Sequence, residues 1–140
     1  MGMNEDETIE NYVRIGGTCY AHSGSNIPLN EWVHLVMTAK TGDKLLTYRN
    51  GVQVLTTSLP SGTFEVTANS LQIAGYSGNV TPPKFQGLID EVRIYAEALP
   101  SAEIQKHYVQ GLNKLLANNA ITEEEYNQRI TAFNQSLVQK

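Results

Sequence analysis

Cysteine is nearly absent from this chain of 140 residues, which carries Cys19 alone. An internal disulfide is therefore excluded, so packing and hydrogen bonds must hold the fold together. Cysteine usage gives no information on the cellular compartment. The length corresponds to one domain with an appendage, which is enough to bury a modest core.

Long apolar runs and clusters of positive charge are also missing. The longest apolar run is only a few residues, so no membrane span is expected, and residues 1–10 lack the apolar region of a signal peptide. The ten Lys and Arg residues are scattered through a chain of formal net charge -4, so no phosphate-binding face and no nucleic acid partner are expected. We predict that residues 1–10 (MGMNEDETIE) form a disordered acidic leader.

A shift in composition near Pro100 divides the rest of the chain. Before it, β-prone segments alternate with Gly, Asn, Ser and Pro, whereas no proline follows it and the apolar spacing becomes helical. We predict a β-rich portion over 11–99 and a helical tail over 100–140, with helices at about 100–117 and 122–138.

Short strands are predicted throughout the β-rich portion. Residues 31–40 (EWVHLVMTAK) would place large apolar groups on both faces, which indicates a central, covered strand. Asn50 and Gly51 separate two β-prone segments and supply the two positive φ angles of a type I′ hairpin turn. Further strands are predicted over 64–68, 70–75 and 85–95. Short strands at this spacing favour an antiparallel sandwich.

The tail carries a strong helix-start signal. Thr122 and Glu125 have the spacing of a capping box, in which each side chain satisfies a backbone amide of the first turn. Apolar residues three and four positions apart form one stripe on each helix. On the first helix these are Ile104, Tyr108, Leu112, Leu115 and Leu116. A helical hairpin is therefore predicted.

Four segments follow one another in a recognisable order: PLNEWVHLVMT (28–38), YRNG (48–51), LQIAG (71–75) and FQGLIDEVRIYAEALPSAEI (85–104). In this order they resemble the laminin-G-like, concanavalin A-like lectin and glucanase superfamily. The resemblance covers about residues 15–112. It implies a mostly β fold, an antiparallel β-sandwich of the jelly-roll, laminin-G-like type, here followed by a C-terminal α-helical hairpin. It also implies an extracellular or cell-surface location, although the chain contains no signal peptide.

The chain departs from this family on its N-terminal side. Family domains carry several more strands before the W-x-H segment, whereas only about thirty residues precede Trp32. We therefore expect half of the jelly roll to be missing, which leaves an apolar face and open edges uncovered. A second copy, the helical hairpin or an unrelated partner chain could cover them, and we favour a homo-oligomer.

The tail has a resemblance of its own. Residues 112–126 (LNKLLANNAITEEEY) are similar to the short C-terminal modules called SHOCT. This resemblance implies that the tail is an interaction element.

Asp90 and Glu91 are the carboxylate pair that a glycosidase hypothesis would use. Neighbouring strand residues point to opposite faces, and no E-x-D pattern occurs, so we expect no catalytic residue. Asp90 would share a face with Val92 and Ile94 and point inward, where a charge needs partners. We predict that it accepts hydrogen bonds from loop amides. A calcium ion is the alternative, and no other cofactor is expected.

The histidines lack the spacing of a metal site. Cys19 and His22 form one isolated pair, and neither His34 nor His107 belongs to an HExxH motif, so zinc is not expected. We interpret His34 as a structural histidine that is hydrogen-bonded within the sheet. The residues assigned structural roles are Trp32, His34, Asn50 and Gly51.

A ligand site is predicted only in outline. Tyr76 and Asn79 belong to a polar loop, YSGNVTPP, and Tyr48 and Tyr20 could join them to stack on a sugar. Tyrosine is also common in strands that bind nothing. We therefore predict a non-catalytic binding or assembly module that recognises a glycan or protein surface. The alternatives are a glycoside hydrolase or lyase remnant, and a purely structural self-associating domain.

Overall fold

The computed structural model describes residues 2–3, 8–66, 72–73 and 85–138. Its elements are β1 (Gly2–Met3), β2 (Thr8–Ile15), β3 (Thr18–Asn26), β4 (Leu35–Ala39), β5 (Lys44–Arg49), β6 (Val52–Ser58), α1 (Ser101–Ala117) and α2 (Glu123–Val138). Strands β1-β2-β3 form antiparallel sheet A, and β4-β5-β6 form antiparallel sheet B. The prediction of a mostly β sandwich followed by two helices is confirmed.

Sheet A contains a hairpin that sequence reasoning missed. Strands β2 and β3 are joined at Gly16 and Gly17, whose φ angles of 58° and 81° are those that a tight hairpin turn requires. The predicted disorder of the acidic leader is wrong for its described part, because β2 begins at Thr8 and Ile9 is fully buried. The alternation of inward side chains from Ile9 outweighs the acidity around it.

The β5–β6 hairpin follows the prediction. Asn50 and Gly51 have φ angles of 52° and 77°, as a type I′ turn requires. The side-chain oxygen of Asn50 accepts a hydrogen bond from the amide of His34 at 3.0 Å, and the Asn50 amide donates to the His34 carbonyl at 2.8 Å. A Cβ atom on Gly51 would lie 2.9 Å from Phe133 Cε2, so the turn also requires glycine for close approach to α2.

The prediction of a central strand over 31–40 is wrong in its placement. The strand itself spans Leu35–Ala39, and in the described part of the chain it lies at an edge of sheet B. Trp32 and His34 precede the strand. Trp32 packs against the helical side of the molecule and not on the face of a strand. Its large apolar side chain was therefore not evidence for a strand covered on both faces.

The strands predicted over 64–68 and 85–95 are not observed in the described residues. Phe64 forms only an isolated bridge with Ile15, and Glu65 and Val66 are in no strand. Residues 67–71 and 74–84 lie outside the described residues, so most of the strand predicted over 70–75 cannot be compared with the structure. Residues 85–95 are described and form no strand, so that prediction is wrong. Alternating apolar residues become a strand only where a neighbouring strand pairs with them.

The two helices pack on the turn end of the β5–β6 hairpin. One cluster of buried apolar residues at this junction, called the helical core below, contains Tyr108, Leu112, Ile121 and Phe133. Trp32 and Val52 pack against this core from the sheet side. The Thr122 hydroxyl oxygen accepts a hydrogen bond from the Glu125 amide at 3.1 Å, which is the predicted N-cap contact.

Candidate functional site

The stretch 85–95, called the exposed segment below, contains six of the twelve exposed large hydrophobic residues of the described part of the chain. Leu88 is 77% exposed and Ile94 is 73% exposed, although these are the residue types that folding normally buries. The large apolar residues of the segment are Phe85, Leu88, Ile89, Val92, Ile94 and Tyr95. Contiguous exposed apolar residues of this kind mark interaction surfaces.

The backbone of the exposed segment is open as well. Among the described residues, the backbone hydrogen bonds outside the helices and sheets include none from 85–95. The Glu91 amide donates instead to the side chain of Asp90 at 2.8 Å. Glu91 has a φ of 54°, a left-handed conformation that interrupts any regular strand at this point.

Polar contacts attach the exposed segment to α1. Lys114 donates to Glu91, and Arg93 Nη2 lies 2.6 Å from Glu91 Oε2. The rings of Tyr95 and His107 are stacked with centroids 6.1 Å apart. Hydrogen bonds from Lys114 and then Arg93 hold the pKa of Glu91 below its usual value. The segment therefore holds its charges against the helix and leaves apolar side chains to solvent.

A second group, the inter-sheet polar cluster, joins sheets A and B. It consists of Asn11, His22, Thr47 and Thr57. The Asn11 side-chain amide donates to Thr47 Oγ1, and His22 Nε2 lies 2.7 Å from the same oxygen. His22 Nδ1 lies 3.0 Å from Thr57 Oγ1, which donates to the Ala21 carbonyl at 3.4 Å.

These contacts form one donor-to-acceptor chain when His22 is neutral with its proton on Nδ1. Thr47 then receives from Asn11 and donates to His22 Nε2, while His22 Nδ1 donates to Thr57. Partial burial lowers the pKa of His22, which favours this neutral form. Thr47 and Asn11 are fully buried and His22 and Thr57 are partly buried, so the cluster joins the two sheets.

The family of the chain follows from its sequence match. The family model described as the concanavalin A-like lectin/glucanases superfamily, of laminin G type, matches residues 1–105. The chain belongs to this superfamily. The comparison with curated proteins gave no match.

One solved structure is similar to this member of the superfamily. It is a 2.1 Å crystal structure of residues 221–444 of an S-layer domain-containing protein from Clostridium thermocellum. The two are 21% identical, with a TM-score of 0.48. The match covers 72% of this chain and 51% of the other, so this chain spans about half the length of that structure.

The tyrosines predicted to bind a ligand are not brought together by the described structure. Tyr48 is only 4% exposed, and Tyr20 packs against the buried cluster of Ile15, Leu45 and Leu59. The ring of Tyr48 is therefore too buried to stack on a sugar, and that of Tyr20 is partly covered by the cluster on which it packs. Tyr76 and Asn79 lie outside the described residues.

Asp90 does not point inward, in contrast to the prediction. Its carboxylate is exposed and lies 3.9 Å from Lys114 Nζ, because residues 85–95 form no strand that would direct it into a core. The described residues contain no group of three or more His, Cys, Asp and Glu side chains that could hold a metal ion. Calcium at Asp90 stays a prediction.

His34 is hydrogen-bonded to the β5–β6 turn through its backbone amide and carbonyl, both of which contact Asn50, whereas one ring nitrogen has no such contact in the described part of the chain. Its Nδ1 is buried and has no hydrogen-bond partner among the described residues. The ring lies 6.0 Å from that of Tyr108, so it packs beside the helical core. Burial, followed by the nearby charges of His107 and Arg93, lowers the pKa of His34 to about 4.

Trp32 has a structural position, and its carbonyl accepts a hydrogen bond from Arg129 Nη1 at 2.6 Å. Arg129 is also paired with Glu125 at 2.6 Å and with Glu31 at 3.6 Å. These contacts attach α2 to the segment before β4. No helix within the described ranges is long and apolar enough to cross a membrane.

Proposed function

We propose that this chain is a non-catalytic assembly module whose exposed segment adds a strand to the β-sheet of a protein partner. The main support for this proposal is that, in the described structure, the segment leaves its apolar side chains exposed and its backbone groups without backbone partners. Strand addition satisfies both, because main-chain hydrogen bonds give affinity and the alternating side chains give specificity.

Burial of the side chains would supply the driving force. Leu88, Val92 and Ile94 are each more than half exposed, and full burial of one such side chain contributes about 1.5–3 kcal/mol. Part of this gain is offset by the cost of association and of ordering the segment.

Protein binding has more support than glycan binding among the described residues. Stacking on a sugar needs exposed aromatic rings, whereas Tyr48 is buried and Tyr20 packs against the buried cluster of Ile15, Leu45 and Leu59. Among the exposed rings, those of Phe85 and Tyr95 belong to the exposed segment itself. A SHOCT-like role for residues 112–126 would agree with assembly, as would the cell-surface or extracellular location that the superfamily suggests.

The charges of the segment also support a non-catalytic role. A general acid needs a raised pKa, whereas Lys114 and Arg93 lower the pKa of Glu91. A screen on β-glucans tests the hydrolase alternative. Turnover that disappears in Glu91→Gln would overturn the proposal.

Amide hydrogen exchange tests the assembly itself. In dilute solution we expect fast exchange over 85–95, and at high concentration or with a partner bound we expect protection of the same amides. Val92→Lys should prevent this protection, because a charge would have to be buried in the new sheet. Val66→Lys is the matched control, since Val66 is 96% exposed and lies outside the segment. Protection that is absent under all conditions, or that Val92→Lys leaves intact, would contradict the proposal.

A further inference from the structure

We infer that the partner of the exposed segment is a second copy of the same chain, paired antiparallel about a two-fold axis at Val92. This inference rests on the proposed assembly function and names its partner. It is carried by the order of charges in the segment.

Symmetry limits how two identical strands can pair. An antiparallel pair has its two-fold axes at pairs of directly opposed residues, so in a symmetric dimer one residue of the segment must face itself. Axes at Asp90, Glu91 or Arg93 would place like charges directly opposite each other, which is unfavourable. An axis at Ile94 would place Glu91 opposite the second copy's Glu97.

An axis at Val92 gives a different pattern. Glu91 then faces Arg93 of the second copy, and Arg93 faces Glu91 of the second copy. Ile89 faces Tyr95 of the second copy, and Val92 faces its own equivalent. Opposite charges and an aliphatic–aromatic pair are both favourable across an antiparallel ladder. Of the axes at residues 90–94, this is the one that pairs unlike charges.

The free chain already holds the groups that this pairing uses. Arg93 is bonded to Glu91 within the chain at 2.6 Å, and both side chains are exposed. Because residues two apart share a face of a strand, extension of the segment would place both charges on one face. The dimer would then exchange its two internal ion pairs, one in each copy, for two pairs across the axis.

Charge reversal tests this register. Glu91→Arg alone and Arg93→Glu alone each place like charges opposite each other twice, so we expect each variant to dimerise about tenfold more weakly or worse. The equimolar mixture of the two variants makes every opposed pair unlike, so we expect dimerisation to return to within about threefold of the wild-type value. Sedimentation velocity with one variant labelled measures both.

Lys106→Glu is the control for net charge. It changes the charge of the chain as Arg93→Glu does, but it lies on the exposed surface of α1 outside the segment. We expect it to dimerise like the wild type. A mixture of the two reversal variants that associates no better than either one alone would overturn the inference.

The outcomes separate the inference from the proposed function. Association that Val92→Lys abolishes but that charge reversal leaves unchanged would overturn the register and leave the assembly function standing. Association that neither substitution alters, or a wild-type chain that is monomeric at every concentration, would overturn the inference.

Disulfide formation tests the axis directly. In a Cys19→Ser background, mild oxidation should cross-link Val92→Cys chains faster than Leu88→Cys chains, because only residue 92 would face its own equivalent. Equal rates would contradict an axis at Val92.

Discussion

Sheet B makes two interfaces that differ in chemistry. Toward sheet A it presents Thr47 and Thr57, which join Asn11 and His22 in a hydrogen-bonded cluster. Toward the helices it presents Val52 and the Gly51 turn, which contact an apolar core containing Phe133. The polar interface depends on the hydrogen bonds that meet at Thr47, although Asn11 Oδ1 is buried without a partner among the described residues, whereas the apolar interface depends on volume and shape.

Each interface also has a histidine in a different state. His22 uses both ring nitrogens in the polar cluster, while His34 beside the helical core has a buried Nδ1 without a partner among the described residues. The two junctions should therefore respond differently to truncation and to pH.

Phe133→Ala should cause the largest loss. Phe133 is buried and forms an edge-to-face contact with Tyr108 at 5.3 Å, so truncation leaves a cavity and should lower the free energy of unfolding by about 3–5 kcal/mol. Urea unfolding followed by circular dichroism measures it. Leu137→Ala on the same helix is the control, because Leu137 is 39% exposed and should cost about 1 kcal/mol or less. Equal losses would show that the helical core is not the apolar junction described here.

His34→Leu should remove a pH dependence from the helical side. The pKa of His34 is about 4 in the folded chain against an ordinary value of 6.5, so the unfolded chain binds the proton more readily. His34 therefore lowers stability progressively as the pH falls from 6.5 toward 4. Between pH 7 and pH 4.5 the wild type should lose about 2–3 kcal/mol more than His34→Leu. Parallel pH profiles of the two chains would contradict the buried position of this ring.

Thr47→Val should break the polar junction. The substitution preserves shape but removes the hydroxyl group shared by Asn11 and His22, so a buried amide and a ring nitrogen lose a partner. We expect a loss of about 1–3 kcal/mol in the free energy of unfolding. Thr56→Val on β6 is the matched control because Thr56 is exposed. Similar stabilities of these two variants would mean that the cluster does not hold the sheets together.

Thr122→Ala should have the smallest effect and should act on α2 alone. The lost N-cap hydrogen bond to the Glu125 amide should cost about 1 kcal/mol. Thr131→Ala, an exposed change within the same helix, should be neutral or slightly stabilising. Exchange rates of the first-turn amides of α2 should rise in Thr122→Ala and stay unchanged in the control.

Features fixed by neighbouring residues could be predicted from the sequence. The Asn50–Gly51 turn depends on two φ angles, and the start of α2 depends on one hydrogen bond between residues three apart. The Gly16–Gly17 turn had a comparable signal, a pair of glycines between two β-prone runs.

Features that depend on distant residues could not be predicted. Residues 85–95 alternate as a strand does, but pairing is decided by a neighbour that the sequence pattern does not show. Tyr48 was predicted to bind a ligand, but it is only 4% exposed in the folded chain. Its burial depends on residues distant in the sequence, which the pattern around it does not show. The burial of Asn11 likewise depends on the facing of the two sheets. Asn11 and His22 contact the same oxygen of Thr47 only because sheet B lies opposite sheet A.

The left-handed backbone of Glu91 has a consequence for solubility. An apolar segment with free backbone groups would, if it were flat and extended, be a template on which strand after strand could grow into fibres. The positive φ of Glu91 bends the backbone in the middle of the segment, so its amide and carbonyl groups do not form the straight row that strand pairing requires. If the segment pairs with other strands, it has to straighten at Glu91 first, and this cost should slow its growth into fibres.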